Sequence, residues 1–257
     1  MITRTIGALV PEALKRRARK WVWMRLNPSW VLRSGIVIRV LNYNDWTIYN
    51  DIFVGGEYNE AIGHLLSGTA DAMRPVQVLD LGGNMGFFTL RLVDAFLQQQ
   101  RGGFAVIAVE GSPSTFAELQ QRLAANESLL AGRVRAVHGL AGERSGAAEI
   151  AESPSHGENT LFSAGGKRKS VSFVDLEQLL AGWERVDLLK CDIEGAEELF
   201  LRNYPELLRR TDRAVFELHH DKCDVPHCRS LLGEAGLQPA RVVREFGHCS
   251  VEFFART

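Results

Sequence analysis

Val78-Leu79-Asp80-Leu81-Gly82-Gly83-Asn84-Met85-Gly86-Phe87-Phe88-Thr89-Leu90 reads as a buried strand, a tight glycine turn and the start of a helix, and that order decides the fold. The apolar run around Asp80 suits a strand covered on both faces, the habit of parallel sheets. Glycines at 82, 83 and 86 allow positive φ and let a ligand approach the backbone N–H groups of the turn. Asp80, at the strand's carboxyl end, can accept from a ligand ammonium; its charge suits an amino-acid moiety and repels a pyrophosphate. A Gly-x-Gly-x-x-Gly fingerprint starting at Gly82 requires glycine where Asn84 and Phe87 stand, which argues against a nicotinamide dinucleotide and a dehydrogenase. Taken alone, a glycine cluster is also compatible with a tight βα turn that binds nothing.

From this turn outward, short β-branched runs alternate with helical segments, the pattern of right-handed βαβ units and a parallel sheet. Strands are predicted at 76–81, 104–109, 134–138, 186–191 and 214–218, and helices at 87–98, 113–125, 196–201 and 228–235. Segments 237–244 and 250–255 flank Glu245-Phe246-Gly247-His248 and predict an antiparallel hairpin that closes the sheet edge. Upstream, segments 35–41 and 46–49 separated by Asn42, Asn44 and Asp45 predict a small hairpin lid, and a helix follows over 59–66, ending at Gly68. Segment 152–170, rich in Ser, Gly and charge, predicts a mobile loop over the site. The chain thus divides into an extension, 1–70, and a main domain, 71–257.

Composition narrows the partners. With 257 residues, 46% hydrophobic and 24% charged, and a formal net charge of −1, the chain supports one large core and has no overall attraction to nucleic acid or anionic lipid. Cys191, Cys223, Cys228 and Cys249 are too few for a disulfide framework, and no signal pattern or long uncharged apolar run is present, so a cytoplasmic protein is expected. Within the first 33 residues, Arg4, Lys15, Arg16, Arg17, Arg19, Lys20, Arg25 and Arg33 stand against Glu12 alone. Leu9, Val10, Leu14, Trp21, Val22, Met24 and Leu26 interleave with them and predict an amphipathic helix, packed on the protein's own core or, as the alternative, docked on a membrane or partner.

Three further strand ends carry polar groups. Glu110, closing the second strand, is placed to accept from both hydroxyls of a ribose, and His138-Gly139-Leu140-Ala141 lies next in space, where an adenine ring can be flanked. At the fourth strand, Asp187-Leu188-Leu189-Lys190-Cys191-Asp192-Ile193-Glu194-Gly195-Ala196-Glu197 turns from an apolar run into clustered charge. Charge buried without a role costs several kcal/mol, so Lys190, Asp192 and Glu194 are either functional or an ion-paired cap on the next helix.

Together with Phe216-Glu217-Leu218-His219, these segments resemble the FkbM family of S-adenosylmethionine (SAM) dependent methyltransferases, over roughly 51–219 and in the same order. Gly111, where the family usually carries proline, and Cys191, where it carries an aliphatic residue, depart from the pattern. The resemblance implies an α/β class I methyltransferase fold, Rossmann-like, with strand order 3-2-1-4-5-7-6. It further implies SAM as donor and O-methylation of a sugar, polyketide or other small metabolite, as in natural-product or polysaccharide biosynthesis. Asp80, Gly82, Gly83, Asn84, Gly86, Glu110, Gly139, Leu140 and Asp192 are the expected cofactor contacts. Asp192 and His219 are the candidate bases, with Glu194 and Glu217 orienting acceptor or base. Glu217, His219, His220, Cys223, His227 and Cys228 raise a rival metal chemistry; their spacing fits no Cys-x-x-Cys knuckle, and its two forms are a structural metal and a catalytic divalent ion on Asp192, Glu217 and His219. A SAM-binding docking protein without turnover is the alternative function.

Overall fold

The computed structural model describes residues 21–22, 25–26, 28–69, 74–152 and 167–256. Its centre is a seven-stranded sheet of β3 (Val76–Leu81), β4 (Phe104–Glu110), β5 (Val134–His138), β8 (Leu188–Cys191), β9 (Arg213–His219), β10 (Gln238–Glu245) and β11 (Cys249–Ala255). Their spatial order is β10-β11-β9-β8-β3-β4-β5, which is 3-2-1-4-5-7-6 when the seven are counted in chain order and read from the other edge. The first five run parallel, and β11 inserts antiparallel between β9 and β10.

Alternation along the strands builds two cores. On β3, Val76 and Val78 face one core while Leu79 and Leu81 face the other; on β4, Val106 and Ala108 oppose Ile107 and Val109 in the same way. Helix α3 (Phe87–Gln98) fills the first core with Phe88, Leu92 and Phe96, and α7 (Glu197–Asn203) and α9 (Val225–Glu234) cover the second with Phe200, Leu201, Cys228 and Leu232. Side chains of this size contribute about 1.5–3 kcal/mol each on full burial. The helix between β4 and β5, α4 (Pro113–Ala124), starts where Ser112 caps the Thr115 N–H and Pro113 fixes the first turn.

The extension departs from the predicted hairpin lid. Only Val37–Arg39 of the first segment is a strand (β2), and it pairs with Ser29–Val31 (β1) around Gly35. The second segment is helical: α1 (Tyr43–Tyr49) starts because Asn42 Oδ1 accepts the Asp45 N–H at 2.9 Å, and it widens into a π-helical turn over Asn50–Val54. Asp45, fully buried, accepts the Leu41 N–H and pairs with Arg122 of α4. Ile36, Ile38, Val40 and Ile52 then join the first core beside α2 (Asn59–Gly68).

Segment 152–170 also differs from expectation. Lys167–Ser172 is a strand (β7), pairing antiparallel with Ala147–Glu152 (β6); 153–166 lies outside the described residues. Most of the predicted basic helix lies outside them too; Trp21, Val22, Arg25 and Leu26 are helical and exposed. No described helix is long and apolar enough to cross a membrane.

Candidate active site

Register assembles the site. Asp80 and Lys190 are neighbours on adjacent parallel strands, and Lys190 faces Val215, two residues before Glu217 and four before His219. Asp80 has no exposed surface; its Oδ2 accepts from Thr89 Oγ1 at 2.8 Å and its Oδ1 lies 3.4 Å from Lys190 Nζ. Lys190 also donates to the Gly82 carbonyl at 2.5 Å and pairs with Asp192 at 3.4 Å. Burial opposes its charge, yet Asp192 and Asp80 outweigh burial and hold the ammonium above the ordinary lysine value. Asp80, expected to meet a ligand ammonium, faces Lys190, which braces the glycine turn, and lines neither pocket described below.

The turn itself is pinned from the next strand. Gly82 and Gly83 donate to the Val109 carbonyl at 3.0 and 2.9 Å. Gly82 sits at φ +73°, where an added Cβ overlaps the Asp192 carbonyl, so only glycine lets the β3 and β8 ends approach this closely. Glu110 accepts the Asn84 N–H at 2.8 Å and the Ser112 N–H at 2.7 Å, tying the turn to the start of α4. Burial pushes this carboxyl up to about 7, although both backbone donors favour its ionised form. Gly82, Asn84, Glu110, Ser112, Gly139, Leu140, Ala141, Asp192 and Ile193 line a first pocket of about 660 Å³, open to solvent. Six of the expected cofactor residues, from four strand ends, therefore converge on it, while Gly83 lines the second pocket described below, Asp80 is buried beneath and Gly86 closes the turn against Leu119.

After β8 the chain turns sharply, with Glu194 at φ +56° and Gly195 at +101°. Glu197, fully buried, holds that turn: its Oε1 accepts the Ile193 and Gly195 N–H groups at 3.2 and 3.1 Å and contacts His219 Nδ1 at 3.1 Å. His219 Nε2 lies 3.5 Å from Glu194 and 4.0 Å from Glu217. Burial disfavours the imidazolium, but the hydrogen bond and charge of Glu197, with Asp192 and Glu194, raise its pKa to about 9. Burial and then Asp192 push Glu194 and Glu217 each up to about 7. Lys222 donates to Glu194 at 3.1 Å, and the Cys249 thiol donates to Glu217 at 3.0 Å.

A second pocket, of about 840 Å³ including its open mouth, lies across the turn and shares Asn84, Asp192 and Glu194 with the first. Glu217, Tyr58, Phe87, Phe88 and Phe246 line it, as do Asn44, Ile48 and Asp51 of the extension. Arg244 of β10 reaches Asp51 at 2.8 Å and Glu57 at 3.4 Å and closes its rim. Glu57, Asp51 and Arg244 carry no sequence motif, and Glu197 is legible only as the last acid of Lys-x-Asp-x-Glu-Gly-Ala-Glu. Of the sulfur-containing metal set, Cys223 donates to the His219 carbonyl, His220 contacts Ser250 and Cys228 is buried in the second core. Among the described residues the ligand atoms that cluster are instead those of Asp192, Glu194 and His219.

Magnesium protoporphyrin IX methyltransferase from Synechocystis PCC 6803, solved with bound SAM, is 16% identical over 97% of this chain and 98% of its own, with a TM-score of 0.48. A SAM-dependent methyltransferase from Agrobacterium tumefaciens is 11% identical over 89% and 70%, with a TM-score of 0.47. Fibrillarin from Aeropyrum pernix, with natively bound SAM, is 13% identical over 89% and 82%, with a TM-score of 0.45. No curated protein sequence matches significantly. Residues 80–239, more than half of the chain, match the family described as "Methyltransferase FkbM domain". The chain belongs to the FkbM family of SAM-dependent methyltransferases.

Proposed function

We propose that the protein transfers a methyl group from SAM to a hydroxyl of a sugar, polyketide or comparable small molecule. The observation that carries this reading is the pair of pockets meeting at Asn84, Asp192 and Glu194, one rimmed by a ribose-type acid and the other holding a carboxylate poised near neutrality. The first pocket fits the donor: its glycine turn presents bare backbone, and each Glu110 oxygen keeps a lone pair after accepting its N–H. SAM, when bound, supplies an electrophilic methyl on a sulfonium.

The protein's own groups supply position, a proton acceptor and a wall against water. Glu217 is assigned as base, because it lines the acceptor pocket and its pKa of about 7 matches the operating range. It takes the hydroxyl proton as the acceptor oxygen bonds to the methyl carbon and the carbon–sulfur bond breaks, leaving S-adenosylhomocysteine. His219, buried and raised to about 9, is assigned a positioning role in place of the base role read from sequence. Asp192 and Glu194 form the wall between donor and acceptor. In this reading residues 71–257 form the catalytic domain and the extension builds one side of the acceptor pocket. In this reading the protein works in the cytoplasm, with its four cysteines as thiols.

The test is calorimetric titration with SAM and S-adenosylhomocysteine, followed by a hydroxyl-acceptor screen that detects S-adenosylhomocysteine release. Binding that is lost in Glu110→Ala, with turnover lost in Glu217→Gln, supports the reading. Absence of binding sinks it, and binding without turnover on any acceptor favours the docking protein.

A further inference from the structure

Asp192, Glu194 and His219 each offer one ligand atom, and the three atoms lie within 4.8 Å of one another. Neighbouring carboxylates alone do not define an ion site, so the imidazole is the informative member. His219 is 3% exposed, and its Nδ1 is fixed on Glu197, itself fully buried and anchored by two backbone N–H groups. That contact orients the ring and leaves Nε2 directed between the carboxylates of Glu194 and Glu217, at 3.5 and 4.0 Å. A carboxylate behind an imidazole whose other nitrogen faces acidic oxygens is how proteins prepare a histidine for a metal.

We propose that Asp192, Glu194 and His219 hold one divalent cation of the Mn²⁺ or Mg²⁺ class, at the wall between the two pockets, where it engages the acceptor oxygen. Two carboxylates and one imidazole suit such a cation, which completes its shell with water or with a substrate oxygen. No thiol belongs to this cluster, which separates it from a structural zinc site. Lysines and the imidazole already neighbour these carboxylates. Lys190, 3.4 Å from Asp192, is shared with Asp80, and Lys222, 3.1 Å from Glu194, rests its stem over Gly195. Such an ion displaces the Lys222 ammonium from Glu194 and releases the Nε2 proton of His219 to solvent. The ion's role toward the acceptor rests on the methyl-transfer reading; its binding does not.

Mn²⁺ titration of the full chain saturated with S-adenosylhomocysteine, read by electron paramagnetic resonance and by calorimetry, tests this. One Mn²⁺ per chain is expected, weakened by about tenfold or more in Glu194→Gln and Asp192→Asn. Lys222→Met should tighten it, and Glu60→Gln, on α2, should leave it unchanged. Opposite shifts in Glu194→Gln and Lys222→Met have no origin in misfolding. No saturable binding at millimolar Mn²⁺, or binding that survives both carboxylate variants, overturns the proposal. Titration of each variant with S-adenosylhomocysteine separates the two readings: product binding without Mn²⁺ binding removes only the ion, whereas absence of product binding removes the methyltransferase reading.

Discussion

Replacing Glu110 by Gln removes one charge at almost constant volume and turns one of its two N–H acceptors into a donor, so the pH slopes, rather than absolute values, report ionisation. The wild-type carboxyl is raised from 4.5 to about 7, chiefly by burial. Between those values the folded protein holds a proton that the unfolded chain has released, so this group's stabilisation is full below about pH 4.5 and is lost as pH rises through about 7. At 1.36 kcal/mol per pH unit the loss amounts to about 3 kcal/mol, an order of magnitude for a carboxyl this deeply buried. Product binding runs the other way if the ionised carboxylate accepts from a ribose. Its ionised fraction rises about tenfold between about pH 6 and pH 8, which predicts about tenfold tighter S-adenosylhomocysteine, or about 1.4 kcal/mol. Thermal denaturation and calorimetry across that range, on wild type and Glu110→Gln, measure both slopes. A wild-type affinity that is flat with pH, or a Glu110→Gln variant that keeps the same slope, refutes the assignment of Glu110 to the ribose.

Gly82→Ala places a Cβ on the Asp192 carbonyl at a positive φ. It should abolish product binding in calorimetry and cost about 3 kcal/mol or more in denaturant unfolding, from the left-handed penalty plus forced separation of two strand ends. Lys190→Met strands Asp80 without its cation and should destabilise the fold by about 3–5 kcal/mol in the same assay. Arg244→Ala removes the bridge to Asp51 and Glu57 at the acceptor pocket's rim. Steady-state kinetics should show a raised acceptor KM with an unchanged SAM KM. Glu217→Gln should lower kcat by about 10²-fold or more while leaving product affinity intact, measured by turnover and calorimetry.

The sheet was legible because its strands are covered on both faces. Val76–Leu81 and Phe104–Glu110 present near-continuous apolar runs, and each glycine or acid that interrupts them marks a strand end. Glu110 and Asp192 could be placed by the same logic, since strand ends of a parallel sheet share one edge. The extension was not legible: Trp46-Thr47-Ile48-Tyr49 is β-branched and aromatic, yet Asn42 caps it as a helix and Asp45 is fixed by Arg122, 77 residues away. Local propensity carries no trace of such a partner. Asp80 shows a second limit. Its position was read from the motif, but its commitment to Lys190 depends on strand register, which no single segment encodes. The rim residues Asp51, Glu57 and Arg244 come from opposite ends of the sequence and meet only through the β10–β11 hairpin.

The bond between Arg122 and Asp45, together with the Asn126 side chain that both accepts from and donates to the Val37 backbone, has an evolutionary consequence. Segments that choose a substrate are often exchangeable between relatives as cassettes, because they sit on a scaffold that does not notice them. Here the segment lining the second pocket is joined to the scaffold through a helix lying some 80 residues downstream. A chimera that imports a foreign extension without its matching α4 leaves the buried Arg122 with Glu118 alone as its acid partner. New substrate preferences in this lineage should therefore arise by point changes at Asn44, Ile48 and Asp51, or by paired inheritance of both segments, rather than by swapping the front of the gene.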